Sequence, residues 1–338
     1  MTLENNKDGA PELHVNSSND ISSIDAVAEN LNNMAVVDGN NNTTVLSVCA
    51  ACGKEGDSLK ACTACKLVKY CNRECQVAHR PLHKRECRKR AAEIYDEKLF
   101  NDHLPREECP ICMIPLPFSD NQTSIFKLCC GKIICMGCLY TMEMSGGKDL
   151  CAFCRSPPPT SKQECVKRLN KLMDKGVGGA YNALARYHKE GIVGLPQDWA
   201  KINELLLKAG ELGCASAYCN LGNSYYNGGH GVKMDKKKAH HYWELAAMGG
   251  SVEARNNLGA LEGQAGNDYR AFKHYKLAAR AGYKESLDTV KKGFMAGLVT
   301  KDEYANTLRV YQKSQNEVKS DARDKAEACF AENVWVGY

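Results

Sequence analysis

Cysteine is the residue whose number and spacing point most directly to chemistry in this chain. Of the 19 cysteines, 15 lie between Cys49 and Cys154, and five Cys-x-x-Cys pairs fall in that window. The N-terminus lacks the basic start and apolar run of a signal peptide, so a disulfide framework is not expected. Short paired spacings in an intracellular chain instead indicate zinc ligation.

The first cluster spans Cys49 to Cys87 and reads C-x2-C-x9-C-x2-C-x5-C-x3-C-x7-H-x3-C. Eight thiol and imidazole donors are enough for two closed tetrahedral zinc sites. A segment of this length cannot bury enough apolar surface to fold alone. Metal binding has to supply the difference, on the order of 10–16 kcal/mol for each structural zinc in small peptides.

The order of residues in this cluster resembles a MYND zinc finger, most closely in the stretch Y-C-N-R-E-C-Q-V-A-H-R-P-L-H-K-R-E-C. The resemblance implies two interleaved sites, Cys49, Cys52, Cys71 and Cys75 in one and Cys62, Cys65, His83 and Cys87 in the other. It leaves His79 as a packing residue. Gln76 occupies the position that contacts proline-rich peptides in the family. Arg80 replaces the usual tryptophan, so the aromatic platform for such peptides is missing.

The second cluster contains eight cysteines between positions 109 and 154, again enough for two closed sites. Their spacing resembles a RING domain over residues 109–155. The resemblance implies one site of Cys109, Cys112, Cys135 and Cys138 and another of Cys129, Cys130, Cys151 and Cys154. Lys132 stands where the family usually has a zinc-binding histidine, so the all-cysteine RING type is the better match. The alternative is a second site with one ligand other than cysteine.

A RING domain promotes ubiquitin transfer without a nucleophile of its own, by holding a charged ubiquitin-conjugating enzyme in a reactive geometry. The resemblance implies that two residues of this chain contact the conjugating enzyme. Ile111, between the first two ligands, matches the apolar contact to the conjugating enzyme. Arg155, directly after the last ligand, matches the arginine that bridges that enzyme and ubiquitin. The alternative is a purely structural zinc module, in which Ile111 packs and Arg155 is solvated.

The C-terminal half repeats itself. Ala180, Ala217 and Ala254 are spaced by 37 residues, and a third, shorter unit repeats Ala246-Ala247 as Ala278-Ala279 after 32 residues. This period predicts a solenoid of helix pairs. The unit AYCNLGNSYYNGGHGVKMDKKKAHHYWELAAMGG resembles a Sel-one-like repeat, a relative of the tetratricopeptide family. The resemblance, over about residues 165–315, implies a scaffold that binds partner proteins.

The predicted architecture is multidomain, with two small zinc-stabilised modules followed by an all-α repeat solenoid. The modules are a MYND finger and a RING-like cross-brace, with two zinc ions each and four per chain. The predicted order is a disordered leader (1–46), the MYND finger (49–87), a helical linker ending before Pro105 (88–108), the RING-like finger (109–155), the repeats (165–315), and a C-terminal helix and tail (316–338).

Several classes of function are not expected. No nucleotide-binding loop or catalytic triad signature appears, no catalytic residue is assigned, and all sixteen zinc ligands serve closed sites. No apolar run is long enough to cross a membrane, and a net charge of +5 does not by itself predict nucleic-acid binding. Three hypotheses remain for a cytoplasmic or nuclear protein: a RING-type ubiquitin ligase or ligase adaptor, a non-enzymatic adaptor, or a nuclear regulatory factor that uses the basic flank of the MYND finger.

Overall fold

The computed structural model describes residues 48–102, 106–117, 123–146 and 150–332. The predicted leader and the apolar end of the tail, Val334-Trp335-Val336, lie outside them. The chain divides into two compact units, Met1–Ile94 and Tyr95–Tyr338. Among the described residues, no helix is both long and apolar enough to cross a membrane.

The described part of the first unit has almost no apolar core. A two-stranded antiparallel sheet, β1 (Lys60–Ala61) with β2 (Lys69–Tyr70), is followed by helix α1 (Arg73–Leu99), whose last turn belongs to the second unit. The buried residues of this small module are three cysteines and Tyr70. With so little apolar burial, this part of the chain depends on metal binding for its stability.

The second unit contains another cysteine-rich module. Strands β3 (Ser124–Phe126) and β4 (Ile133–Cys135) pair antiparallel, and helix α2 (Met136–Met144) follows directly. Ile134, Leu139 and Leu116 lie in its core together with three of its cysteines. On its other side, Phe126 and Leu128 pack against the first helices of the repeat array.

Ten helices follow this module in the described residues. They are α3 (Lys162–Met173), α4 (Gly178–Lys189), α5 (Trp199–Glu211), α6 (Ala215–Asn227), α7 (Lys236–Met248), α8 (Val252–Gln264), α9 (Asp268–Arg280), α10 (Lys284–Met295), α11 (Lys301–Glu317) and α12 (Asp321–Ala331). The end predicted for the repeats, residue 315, falls inside α11. The helical array therefore extends past the repeating pattern.

The residues that recur in sequence are the residues that bring the helices together. Ala180, Ala217 and Ala254 are completely buried in α4, α6 and α8. Small side chains at these positions let paired helices approach closely. At Gly222 the helices approach so closely that an added Cβ would lie 2.3 Å from the indole ring of Trp243.

The recurring polar and glycine positions begin and end the helices. Asp198 and Asp235 are the N-caps of α5 and α7, and their carboxylates accept hydrogen bonds from backbone N–H groups of the first turn. Gly213, Gly250 and Gly282 each have a φ between 88° and 109° directly after a helix. Glycine adopts this conformation without the steric cost that a Cβ would add.

The segment predicted as a linker is part of the repeat core. The helix ends at Leu99, earlier than expected, and Leu99 is fully buried among residues of α7 and α8. The guanidinium of Arg255 donates to the carbonyl oxygens of Leu99, at 2.8 Å, and Asn101, at 3.4 Å. Phe100 packs on the imidazole of His274, with 4.6 Å between ring centroids. These contacts are distant in sequence, so the pattern of the segment itself could not predict them.

Charged groups extend the same attachment. The hydroxyl of Tyr95 donates to Glu244 at 2.8 Å. Asp96 pairs with Arg270 at 2.8 Å, and Asp102 pairs with Arg280 at 2.6 Å. The charged residues of the predicted helical linker therefore also form ion pairs that attach it to the repeats.

Candidate metal centres and interaction surfaces

The first MYND cluster consists of Cys49, Cys52, Cys71 and Cys75, whose sulfur atoms all lie within 4.8 Å of one another. Cys49 is followed by a tight turn in which the N–H of Gly53 donates to its carbonyl oxygen at 2.9 Å. Cys71 follows strand β2, and Cys75 lies in the first turn of α1. The carboxamide oxygen of Asn72 accepts from the N–H of Cys75 at 2.9 Å and fixes that turn.

The second MYND cluster consists of Cys62, Cys65, His83 and Cys87, again with donor atoms within 4.8 Å. His83 and Cys87 are four residues apart on α1 and therefore lie on one face of the helix. His83 Nε2 is 3.2 Å from Cys65 Sγ, and Cys62 Sγ is 3.7 Å from Cys87 Sγ. The structure thus brings all eight predicted MYND donors together in the two predicted sets of four.

Two further MYND residues lie beside the second cluster. His79 is outside it, with its Nδ1 3.1 Å from the hydroxyl of buried Tyr70 and its ring stacked on that of His83. Gln76, predicted as a peptide contact, is half-buried with its Nε2 4.0 Å from Cys62 Sγ. Arg80 is exposed. Peptide binding by Gln76 remains a prediction.

The RING-like module contains the other two clusters. Cys109, Cys112, Cys135 and Cys138 form one, and Cys129, Cys130, Cys151 and Cys154 form the other. The four pairs therefore interleave along the chain, the first with the third and the second with the fourth. This is the pairing implied by the resemblance.

Adjacent Cys129 and Cys130 reach the same cluster because the backbone turns there. The N–H of Gly131 donates to the carbonyl oxygen of Lys127 at 2.8 Å, and Gly131 has a φ of 71°. Lys132 is exposed and outside the cluster. The geometry favours the all-cysteine site over one with a different fourth ligand.

Sulfur separations test whether zinc fits these clusters. A tetrahedral ion with Zn–S bonds of about 2.3 Å places its sulfur atoms about 3.7–3.8 Å apart. The Sγ–Sγ distances are 3.6 Å for Cys52–Cys71, 3.8 Å for Cys109–Cys138, 3.9 Å for Cys112–Cys135 and 3.7 Å for Cys130–Cys151. The donor sets therefore fit zinc, and we propose the sixteen residues as its ligands.

The surroundings of Cys62 and Cys154 favour the thiolate that zinc requires, whereas burial raises the pKa of other donors such as Cys129 and Cys130. The hydroxyl of Ser156 is the main cause that lowers the pKa of Cys154 to about 6. Burial acts to raise the pKa of Cys62, but the backbone of Cys65 and the side chain of His83 lower it to about 6. Four protein donors per cluster leave no position for a water molecule, so these sites stabilise structure.

Both predicted contacts to a conjugating enzyme lie next to zinc ligands. Ile111 is 39% exposed between Cys109 and Cys112. Arg155 is exposed, has a φ of 58°, and donates its N–H to the carbonyl oxygen of Cys151 at 2.9 Å. Sequence reasoning missed one residue beside this site. Arg323 lies far along the chain, but its Nη2 is 3.8 Å from Cys112 Sγ, and nothing in the sequence pattern indicates that contact.

Comparisons with known proteins identify two of the three parts. Residues 49–87 match the MYND finger model, and residues 179–214, 215–251 and 252–283 each match the Sel1 repeat model. Neither match covers residues 109–155. A search of curated proteins finds no significant match.

Solved structures of Sel1-type repeat proteins are similar to this chain. A Sel1 repeat protein from Oxalobacter formigenes is 21% identical, with a TM-score of 0.41, over 53% of this chain and 72% of that chain. The protective antigen c5321 of uropathogenic Escherichia coli, which has an SLR fold, is 22% identical, with a TM-score of 0.40, over 59% of this chain and 41% of that chain. This chain thus spans less than half of the antigen.

The family matches confirm the predicted MYND finger and repeats, and they confirm zinc as the cofactor. Zinc fingers of this type and Sel1 repeats are protein-interaction modules. This chain is therefore a zinc-binding interaction adaptor built from a MYND finger, a second four-pair cysteine module and a Sel1 repeat array.

Proposed function

We propose that the chain is an adaptor with RING-type ubiquitin-ligase activity, in which the RING-like module holds a ubiquitin-conjugating enzyme and the repeats recruit the substrate. The observation that carries the proposal is the interleaved pairing of eight cysteines around a loop that leaves Ile111 exposed. Interleaved pairing ties the first and third zinc loops of the module to one small core.

The exposure of Ile111 is maintained by the loop around it. The N–H of Cys109 donates to the carbonyl oxygen of Ile114 at 3.0 Å, and the N–H of Met113 donates to that of Cys109 at 2.8 Å. Met113, with a φ of 57°, is 65% exposed. Two apolar side chains held outward on a rigid turn favour a docking surface for another protein.

The proposed catalysis is positional. The amine of an acceptor lysine attacks the carbonyl carbon of the thioester between ubiquitin and the conjugating enzyme. An amide bond forms, the C–S bond breaks, the enzyme's cysteine leaves as a thiolate, and the amine loses a proton to solvent. The RING-like module contributes orientation and not a reacting group, with Ile111 as the apolar contact and Arg155 as the bridge to ubiquitin.

The test is discharge of ubiquitin from a panel of charged conjugating enzymes onto free lysine. Wild type is compared with Ile111→Asp and Arg155→Ala. Mass spectrometry first confirms that each protein carries four zinc ions per chain, one for each cluster. We expect acceleration by wild type and its loss in both variants. Leu298→Asp is the matched control, because Leu298 is an exposed apolar residue beyond the RING-like module.

Absence of acceleration by the zinc-loaded wild type across the panel would refute ligase activity. The chain would then be a non-enzymatic adaptor, in which Ile111 and Met113 bind another protein. We propose the cytoplasm or the nucleus as its compartment, where conjugating enzymes and reduced cysteines coexist.

A further inference from the structure

Helix α12 packs on the RING-like module, although more than 160 residues separate the end of that module from the helix in sequence. Ala326 is buried in the same core cluster as Leu139 of α2. Cys329 and Phe330, one turn further along α12, pack against this cluster. The apolar face of α12 therefore completes the core of the module.

The backbones of α2 and α12 touch at one point. A Cβ added to Gly137 would lie 2.6 Å from the backbone nitrogen of Arg323 and 2.8 Å from the carbonyl carbon of Ala322. No side chain larger than hydrogen fits there without moving α12. Gly137 lies directly before Cys138, so the close approach occurs at a zinc loop.

The guanidinium of Arg323 reaches the first zinc loop of the module. Its Nη1 donates to the carbonyl oxygen of Pro115 at 2.8 Å, and its Nη2 donates to that of Ile114 at 3.1 Å. Nη2 also lies 3.8 Å from Cys112 Sγ. Nη1 donates in addition to the carbonyl oxygen of Val318, at the end of α11, at 2.8 Å. A planar fork with several donors can hold two adjacent carbonyl groups and a sulfur atom at once.

The contact between Arg323 and Cys112 is also favoured by charge. A zinc ion with four thiolates carries a net charge of about −2, and a nearby guanidinium offsets part of it. Groups that donate to metal ligands fix their orientation, and their loss commonly weakens metal binding by about 10- to 100-fold. Arg323 meets both conditions toward Cys112 and is half-buried, which reduces screening by water.

We propose that α12 is an integral part of the RING-like module and that Arg323 is a positioning residue for its first zinc loop. Arg323 holds the backbone of that loop and secures zinc on Cys109, Cys112, Cys135 and Cys138. Because the loop also carries Ile111, Arg323 sets the position of the proposed docking surface as well. Only this last consequence rests on the proposed ligase function.

The test measures zinc release from the full chain into an excess of a colorimetric chelator. Arg323→Met removes the charge and the donors at similar length, and Arg323→Lys keeps the charge but cannot form the fork. Lys325→Met is the control, because Lys325 is exposed on the same helix. We expect one of the four zinc ions to be released about 10- to 100-fold faster in Arg323→Met. Arg323→Lys should be intermediate, and Lys325→Met should equal wild type.

A second perturbation leaves Arg323 itself intact. Gly137→Ala should displace α12 and accelerate release of the same zinc ion. In a Cys112→Ser background, which removes a ligand of that ion, Arg323→Met should not accelerate release of the zinc ions that remain.

Wild-type release rates in both Arg323→Met and Gly137→Ala would overturn the proposal. Equal acceleration of all four zinc ions, or equal rates in Arg323→Met and Arg323→Lys, would also refute a local role of the guanidinium fork. The assay contains no conjugating enzyme. A chain without ligase activity can therefore still support this proposal, and an active ligase can still refute it.

Discussion

The attachment of residues 95–102 to the repeats makes a sharp prediction at Leu99. A solvated linker would tolerate Leu99→Ala, whereas a buried leucine would not. Leu99 is completely buried, and its cluster includes Ala246, Ala254 and Leu258. Leucine-to-alanine changes in cores cost about 2–5 kcal/mol, depending on how far the neighbours collapse.

The neighbours of Leu99 place the expected loss in the upper part of that range. Alanine side chains on packed helices cannot rotate to fill the space that the leucine leaves. We therefore expect a loss of about 3–5 kcal/mol in the free energy of unfolding. For a unit of this size, each kcal/mol lowers Tm by about 2–4 °C, so the expected decrease is about 6–20 °C.

The assay is equilibrium unfolding in urea with zinc present, followed by tryptophan fluorescence, since Trp243 belongs to the same cluster. Leu82→Ala is the matched control, because Leu82 is on the same helix but 74% exposed. It should change stability by less than about 0.5 kcal/mol. Equal stability of the two variants would refute the inclusion of this segment in the repeat core.

Three further predictions concern other parts of the chain. His83→Ala should lose one of the four zinc ions in native mass spectrometry, while His79→Ala should retain all four, because only His83 belongs to a cluster; loss of zinc in His79→Ala would contradict the assignment. His240 lies 3.4 Å from Glu244 and 3.5 Å from Glu262, and a hydrogen bond with Glu244 is the main cause that raises its pKa above 6.5. Because the folded-state pKa is raised, protonated His240 stabilises the fold below pH 6.5, and this contribution is lost as the pH rises through the folded-state pKa. The stability deficit of His240→Gln relative to wild type should therefore shrink between pH 6 and pH 9 in chemical unfolding. A deficit that is constant with pH would exclude this effect. Gly222→Ala should destabilise the repeats, because its Cβ would overlap Trp243, while Gly263→Ala, whose nearest neighbour would be 3.8 Å away, should stabilise them by up to about 1 kcal/mol in thermal unfolding; the same sign for both would show that close packing at Gly222 does not matter.

Local chemistry explains why the zinc modules could be predicted. Each ligand pair lies within four residues, and the donors are of types that have few other uses at such density. The pairing of Cys129 with Cys130 was the one position with an open alternative, because adjacent side chains usually diverge. The turn at Gly131 that resolves it depends on backbone hydrogen bonds, which spacing does not specify.

Periodicity explains the prediction of the repeats. Ala180, Ala217 and Ala254 recur because each helix pair meets its neighbour in the same way, and they are all completely buried. The caps at Asp198 and Asp235 follow the same period. The repeat boundaries were less predictable, since the last helices pack on the array without repeating its sequence.

The sequence by itself determined what is local and periodic: the zinc donors, the helix pairs, and their caps. Tertiary structure decided how distant segments meet. A charged linker enters the repeat core because Arg255 binds the carbonyl oxygens at its helix end, and a C-terminal helix completes the RING-like module because Gly137 lets its backbone approach. These contacts join residues more than 150 positions apart. Each partner is an ordinary arginine, leucine or glycine, so only the folded chain shows which one it meets.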